Sequence, residues 1–253
     1  MTTKKREGAI VAQEEGALTA EEAKNVSTLL ARYRPHIPDE VLADQSYLRR
    51  SFMALSTIGS RKLFACDAGS VVKCLVAGHA LGLEFNTLNE MWLIPRAGEL
   101  TYQIGYKGLI KLAMRSGQYS KVDAQVVREG DAFTFDLAEG RISHSFDLFA
   151  GGRDSARYVG VYAVAVTKDG EQIAEVMTRD ECEHVRDKTS KARSGPWYDW
   201  PEQMARKTVL RRLCNRLEMT TAASAAIAGE TYDTGHVKAR AVRADASAIW
   251  AKT

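Results

Sequence analysis

The sequence has no apolar run long enough to cross a membrane. Its apolar runs are short, such as Tyr162 to Val166, whereas a membrane-spanning helix needs roughly 18 or more consecutive apolar residues. The N-terminal residues MTTKKREGAIVAQEEG contain no apolar signal-peptide core. These absences argue against membrane and secreted proteins, and we expect a soluble, cytoplasmic chain with no membrane partner.

Cysteine is scarce and scattered. The four cysteines are Cys66, Cys74, Cys182 and Cys214, and none belongs to a C-x-x-C pair, the spacing typical of zinc sites and redox pairs. The G-x-x-x-x-G-K-[ST] loop of nucleotide-binding enzymes is absent, as is any compact group of carboxylates. We therefore expect reduced thiols, no metal site, no cofactor and no enzymatic activity.

The sequence also has no large excess of positive or negative charge. The chain carries 35 lysines and arginines against 32 acids, a formal net charge of +3. This excess is too small to identify a nucleic-acid partner, so the distribution of the charge has to carry that argument. The hydrophobic share of 45% in 253 residues is sufficient for a core.

The periodicity of apolar residues predicts helices, then a meander of strands, then helices again. This order is typical of an α+β fold with a twisted antiparallel sheet and hairpin core flanked by helices. Helices are predicted at Thr19–Tyr33, Tyr47–Ile58, Ala68–Leu81, Tyr106–Ser116, from Thr178, and from Asp199 to about Leu217. Strands are predicted at Met91–Pro95, Leu100–Ile104, Lys121–Arg128, Ala132–Asp136, Arg141–Phe146, Tyr158–Thr167 and Glu171–Met177.

Composition divides the chain into three parts. Residues 1–18 are polar and aperiodic, which predicts a disordered arm. Residues 19–225 form the predicted folded core. Ala, Thr and Gly dominate from Glu218 onward, which predicts a flexible tail over residues 226–253.

Positive charge is concentrated between Arg186 and Arg216. This segment has nine basic residues and three acids, with Trp197, Tyr198 and Trp200 among them. Cations that follow phosphates and rings that stack on any base are what an unpaired nucleic-acid strand requires. A solvated outer face of an ordinary helix is the alternative.

The last predicted helix of this segment is amphipathic. Its apolar side carries Val209, Leu210 and Leu213, and its polar side carries Lys207, Arg211, Arg212, Asn215 and Arg216. Arg206 falls inside the apolar arc. Two interpretations of it are equally open: an internal ion pair, or a side chain that points into a groove.

A second basic segment runs from Gly105 to Gly117 and contains no acid. Lys107, Lys111 and Arg115 recur every four residues and so share one helix face. Gly105 and Gly108 either let the backbone approach a phosphate at the helix N-terminus or allow tight packing after the hairpin. The sequence does not decide between these two roles.

Several segments in order resemble the RecT family of phage and prophage recombinases. They are Ala80-Leu-Gly-Leu83 with Asn86, Trp92-Leu-Ile-Pro95, Gly105-Tyr-Lys-Gly-Leu-Ile-Lys-Leu-Ala-Met-Arg-Ser-Gly117, Val126-Val-Arg-Glu-Gly-Asp131 with Phe133, Ile142 and His144, Gly160-Val-Tyr-Ala163, Pro196-Trp197, and Met204-Ala-Arg-Lys-Thr-Val-Leu-Arg-Arg212. One departure follows, where Asn215-Arg-Leu-Glu218 stands in place of an expected Lys-Leu-Pro. Together the segments cover roughly residues 75–220.

The resemblance implies ATP-independent binding of single-stranded DNA and annealing of complementary strands through a duplex intermediate. It also implies a homo-oligomer, either a ring or a helical filament, and a phage 5'-3' exonuclease as partner, with a host single-strand-binding protein as a further candidate. The implied fold is the α+β core of single-strand annealing proteins with a groove for nucleic acid. It provides no catalytic residues.

The candidate DNA contacts combine both basic segments with the predicted hairpin. They are Arg96, Tyr102, Tyr106, Lys107, Lys111, Arg115, Arg206, Lys207, Arg211 and Arg212. Trp92, on an apolar strand, is expected in the core, and His79 and His144 are expected to be hydrogen-bonded structural residues.

Two other functions are open at this point. A metal-dependent nuclease would use acids such as Glu129, Asp131, Glu175 and Asp180, alone or with His144 or His184, although Glu129-Gly-Asp131 is also a typical turn. An interaction protein would use the same basic faces to bind another protein.

Overall fold

The computed structural model describes residues 28, 31–147, 149, 151–153, 157–189 and 194–229. The predicted arm at 1–18, most of the first predicted helix, residues 190–193 and the tail beyond 229 lie outside the described residues. The chain divides into two compact units. The first comprises Met1–Thr87 and Leu93–Tyr102, and the second comprises Leu88–Trp92 and Gln103–Thr253.

The first unit is mainly helical. After a short 3-10 turn at Arg34–His36, its helices are α1 (Asp39–Ala43), α2 (Gln45–Ser56), α3 (Ser60–Phe64) and α4 (Ala68–Leu81). Phe52 and Leu55 of α2 and Leu75 of α4 are fully buried. The Tyr47 hydroxyl donates a 2.6 Å hydrogen bond to the Leu75 carbonyl, which fixes the two long helices at their contact.

The end of α4 follows from one residue. Gly82 adopts the left-handed conformation with φ of 57°, which costs glycine little because it has no Cβ. The predicted bounds of this helix, Ala68–Leu81, are confirmed. His79, near this end, packs edge-on against Tyr47 with ring centroids 5.1 Å apart, in keeping with its predicted structural role.

Strands β1 (Met91–Arg96) and β2 (Glu99–Ile104) form the predicted hairpin. Ala97 and Gly98 connect them, with φ values of 48° and 82°. Two successive positive φ angles are the signature of a type I′ turn, whose twist matches that of the strands.

The second unit is built on a three-stranded antiparallel sheet in the order β3-β6-β7. The strands are β3 (Tyr119–Arg128), β6 (Tyr158–Thr167) and β7 (Gln172–Thr178), and a separate hairpin pairs β4 (Ala132–Asp136) with β5 (Arg141–Ser145). The register places Ala124 opposite Ala163, and both are fully buried. Small residues on this face allow helices to pack closely against the sheet.

The helices of the second unit are α5 (Tyr106–Arg115), α6 (Arg179–Thr189), α7 (Pro196–Asp199), α8 (Pro201–Cys214) and α9 (Thr221–Gly229). Helices α5 and α8 pack against the sheet. Thr178 and Glu181 form a capping box at the start of α6, because each side chain accepts a hydrogen bond from the other's backbone N–H, at 2.8 and 3.2 Å. Helix α8 begins at Pro201 without a side-chain cap, two residues after the predicted start at Asp199.

Helix α9 extends across the predicted boundary between core and tail. Ala223, Ala226 and Ile227 are buried, and the Ile227 carbonyl accepts a 2.7 Å hydrogen bond from Arg211. The alanine-rich composition that suggested flexibility has high helix propensity and supplies a small apolar face. Ordered structure therefore continues past the predicted boundary at residue 225.

The predicted α+β class with antiparallel strands is confirmed. None of the helices in the described part of the chain combines the length and the apolarity that crossing a bilayer requires.

Candidate nucleic-acid interface

Helix α5 is held against a loop by two glycines. Gly105 donates its backbone N–H to the Glu90 carbonyl at 2.8 Å. A Cβ atom at Gly105 would overlap the main-chain oxygen of Asn89, and one at Gly108 would overlap that of Glu90. Of the two interpretations of these glycines, the structure therefore supports tight packing. It fixes the apolar side of α5 and turns the basic side outward.

The three basic residues of α5 differ in their exposure. Lys107 and Arg115 are exposed. Lys111 instead donates to Glu90 across 2.7 Å, and Glu90 is buried. A buried carboxylate needs such a partner, so Lys111 stabilises the loop before β1 in addition to adding positive charge to the face.

Tyr106 and Arg206 meet at the edge strand β3. The Tyr106 hydroxyl donates to Asp123 Oδ1 at 2.9 Å, and Arg206 donates through Nη2 to the Tyr106 oxygen at 3.1 Å. Arg206 Nε donates to the Ala124 carbonyl at 2.8 Å, while the Ala124 N–H lies 3.3 Å from the Tyr106 oxygen. An edge strand has unpaired backbone groups, and these two side chains bind them.

This cluster changes the acidity of its members. Burial raises the pKa of the Tyr106 phenol, and the Arg206 guanidinium offsets part of that rise. Burial also acts to raise the pKa of Asp123, but hydrogen bonds from Gln125, Tyr106 and the Ala124 N–H outweigh it and lower the pKa overall. Asp123 is therefore held as a carboxylate, and the cluster keeps its ion pair with Arg206, 3.9 Å away.

Helix α8 departs from the predicted polar face. Arg211 was expected on the outside but is only 7% exposed, because its Nη2 donates to the Ile227 carbonyl of α9. Arg212 lies 3.5 Å from Glu181 of α6, and Lys207 is half-buried. The amphipathic pattern of α8 could not show this, because a separate helix, α9, covers part of the side that was predicted to be polar.

Arg96 and Tyr102 belong to the first unit, where both are half-buried on the hairpin. The other eight predicted contacts belong to the second unit. Within that unit the structure brings Tyr106 and Arg206 into direct contact, and it separates Arg211 from the surface.

A groove that the sequence did not reveal lies beside the Arg206 cluster. This β3 groove measures about 510 Å³. Its lining includes Lys121, Gln125, Arg128, Phe146, Arg153, Gln203 and Arg206. The alternation of Lys121, Asp123 and Gln125 along β3 was the available signal, because period-two polarity marks a sheet face that faces solvent.

An ion-pair cluster supports one wall of the β3 groove. Arg153 binds both oxygens of Asp131, at 2.8 and 2.9 Å. His144 Nε2 lies 3.1 Å from Asp131 Oδ2 and its Nδ1 lies 3.2 Å from the Tyr162 hydroxyl. His144 is thus the structural histidine that was predicted.

Burial alone would raise the pKa of Asp131, whose side chain is 2% exposed. The hydrogen bonds from Arg153, the Arg128 N–H and His144 outweigh burial and lower the pKa to about 2. Among the described residues no group of three or more His, Cys, Asp or Glu side chains is placed to hold a metal ion. Arg153 occupies the Asp131 oxygens that the nuclease alternative would assign to a metal.

The comparison with known families decides the classification. The model of the RecT family matches residues 49–242, which is most of the 253-residue chain. The chain belongs to the RecT family. This confirms the family to which the sequence motifs pointed.

Two relatives are similar to parts of this chain. Protein RecT of Escherichia coli (strain K12) is 39% identical over 165 residues, covering 61% of this chain and 60% of that protein. The uncharacterized protein YqaK of Bacillus subtilis (strain 168) is 29% identical over 151 residues, covering 59% of this chain and 51% of that protein. The matched regions span about half to three-fifths of these relatives.

The stretch that matches the RecT family contains every predicted contact and also the exposed aromatic residues. Trp200, immediately before α8, is 62% exposed, and Tyr198 lies with its ring centroid 5.8 Å from the Arg186 guanidinium carbon. Trp92 was expected in the core, but its side chain is partly exposed, because strand alternation places it on the outer face between buried Met91 and Leu93. These rings remain available for stacking.

Proposed function

We propose that this protein binds single-stranded DNA in the cytoplasm and anneals complementary strands without nucleotide hydrolysis. Helix α5 carries the proposal most directly. Its packed side is fixed by Gly105 and Gly108, and its other side presents Lys107 and Arg115 to solvent in a segment without acids. Membership of the RecT family supports the same conclusion.

Sequence-tolerant binding follows from these residue types. Lysine and arginine side chains neutralise phosphates and displace counterions, so affinity depends on salt and little on base sequence. Exposed rings such as Trp200 stack on any base. A protein that anneals arbitrary complementary strands requires this combination.

We also propose that the active form is a ring or a helical filament. Many weak sites aligned along one strand raise the overall affinity without new contacts. A phage 5'-3' exonuclease that supplies single strands, and a host single-strand-binding protein, are the partners that fit this role. Electron micrographs taken with and without complementary oligonucleotides, and a coupled resection and annealing assay, test these two points.

The decisive experiment for DNA binding is a salt titration with a labelled oligonucleotide. Lys107→Ala and Arg115→Ala should each weaken binding and reduce the slope of log affinity against log salt by about 1. Arg141→Ala is the matched control, since Arg141 lies on the β4–β5 hairpin beside Glu139 and should leave the slope unchanged. A salt-independent affinity in the unmodified protein would exclude the proposal.

A further inference from the structure

The β3 groove contains more cations than acids, but most of those cations are already paired. Arg128 lies 2.7 Å from Glu202, Arg153 binds Asp131, and Arg206 lies 3.9 Å from Asp123. A phosphate is bound by cations whose charge is not already compensated. The groove is therefore polar without being a strong phosphate site.

The same groove offers hydrogen-bond donors and acceptors side by side. The amides of Gln125 and Gln203 each provide both kinds of group, and the carboxylates of Asp123 and Glu202 accept. A nucleobase edge presents donors and acceptors together, so this lining can bind the edges of different bases without selecting one.

Apolar surface completes the groove. Phe146 is 43% exposed, and the Arg153 guanidinium carbon lies 3.5 Å from its ring centroid, over one face. Tyr162 and Val164 of β6 form part of the lining, and the register puts them opposite Gln125 and Asp123, on the same side of the sheet. Planar rings stack on aromatic side chains and on arginine planes.

We propose that the β3 groove holds unpaired bases of the bound strand while the phosphates lie along the basic face of α5. Arg206 connects the two surfaces, since it lines the groove and hydrogen-bonds to Tyr106 at the start of α5. The inference rests on the proposed binding of single-stranded DNA. It assigns base contact and phosphate contact to separate side chains.

Abasic oligonucleotides test this division of roles. The protein is titrated with a mixed-sequence oligonucleotide and with one of equal length that lacks bases in its central tract. We expect the complete oligonucleotide to bind about tenfold more tightly, in the range that base stacking provides. Gln125→Ala/Gln203→Ala and Phe146→Leu should each reduce this preference to about threefold or less, with unchanged affinity for the abasic oligonucleotide.

Two controls separate the possible outcomes. Gln118→Ala removes an exposed amide outside the groove and should keep the full preference. Lys107→Ala should weaken both oligonucleotides by the same factor. Thermal melts verify that every variant is folded.

Three results would overturn the inference. Equal affinity of the unmodified protein for the two oligonucleotides would leave DNA binding intact but remove the base site. Groove variants that weaken both oligonucleotides equally would make the groove a phosphate site. Groove variants that keep the full preference would locate base contact elsewhere. An unmodified protein that binds neither oligonucleotide would instead contradict the proposed function itself.

Discussion

Several of the predicted DNA contacts have a structural role in the fold. Lys111, Arg206 and Arg211 are basic, yet each binds an acceptor within the second unit. Replacement of any of them would change the stability as well as the charge. Lys107 and Arg115 are the exposed members of the predicted set on α5, so their replacement changes the charge of the surface directly.

Tyr106→Phe distinguishes structure from DNA contact at one residue. The variant keeps the ring but loses the hydroxyl that binds Asp123 and receives a hydrogen bond from Arg206. We expect a loss of about 1–2 kcal/mol in the free energy of unfolding, measured by urea titration, with single-strand affinity close to that of the unmodified protein. Tyr198→Phe, at an exposed tyrosine, should change neither. Unchanged stability with weakened DNA binding would make the hydroxyl a DNA contact.

Asp131 gives the fold a defined acid sensitivity. Its pKa in the folded state, about 2, is below the ordinary value of 3.8, so the unfolded state binds protons more readily. The stabilisation from this group is therefore complete above about pH 4 and is lost as the pH falls toward 2. Asp131→Asn should lower the free energy of unfolding at neutral pH by about 3 kcal/mol and should flatten its decline between pH 4 and 2.

The matched control for this experiment is Asp169→Asn, in the exposed turn between β6 and β7. It should preserve both the stability at neutral pH and its decline in acid. Urea titrations at several pH values provide the measurement. Equal acid sensitivity in Asp131→Asn and the unmodified protein would show that other carboxylates cause the decline.

At the scale of elements, helix α9 is part of the folded second unit. A chain that ends at Gly229 should be as stable as the full chain, whereas one that ends at Thr220 should be less stable by roughly 3 kcal/mol or more, because Arg211 loses its acceptor and Ile227 its burial. Ile227→Ala should cost about 2–3 kcal/mol, and Ser224→Ala, on the exposed side of α9, should cost little. Full stability of the shorter chain would remove α9 from the core.

The sequence predicted elements better than it predicted their contacts. Local signals were sufficient for α4, where Gly82 ends a regular apolar pattern, and for α6, where Thr178 and Glu181 form a capping box. The partners of Arg211 and of Arg206 lie 16 and 82 positions away along the chain. No periodicity reports such pairs, because they depend on how elements pack.

The candidate interface was likewise predictable only where it depends on local sequence patterns. The basic face of α5 was visible in the spacing of Lys107 and Arg115. The β3 groove was not, because it joins side chains from β3, from the end of β5 and from the first turn of α8. In the sequence, the polar residues of its lining cannot be distinguished from ordinary solvent-exposed strand residues.

For the whole molecule, a net charge of +3 is compatible with DNA binding only because the charge is distributed unevenly. The basic face of α5 favours phosphates, and the paired charges of the β3 groove do not oppose them. Long-range attraction is therefore modest, and contact surfaces rather than overall charge determine affinity. Self-assembly along a strand would then add the avidity that a single subunit lacks.

Annealing by this protein should need neither ATP nor a divalent ion, and the reason is thermodynamic. Each base-pair step contributes roughly 1.4 kcal/mol of stacking, so pairing of complementary strands is already downhill. The barrier is the repulsion between two phosphate chains, which cations at the proposed α5 contact would reduce by replacing counterions. Annealing of two labelled oligonucleotides, monitored by fluorescence transfer between the labels, should therefore proceed in EDTA at about the same rate as without it. Added ATP should leave the rate unchanged.

The double variant Lys107→Ala/Arg115→Ala should slow the annealing reaction, while the control variant Arg141→Ala should not. A reaction that stops in EDTA and returns only with a divalent ion would contradict this account.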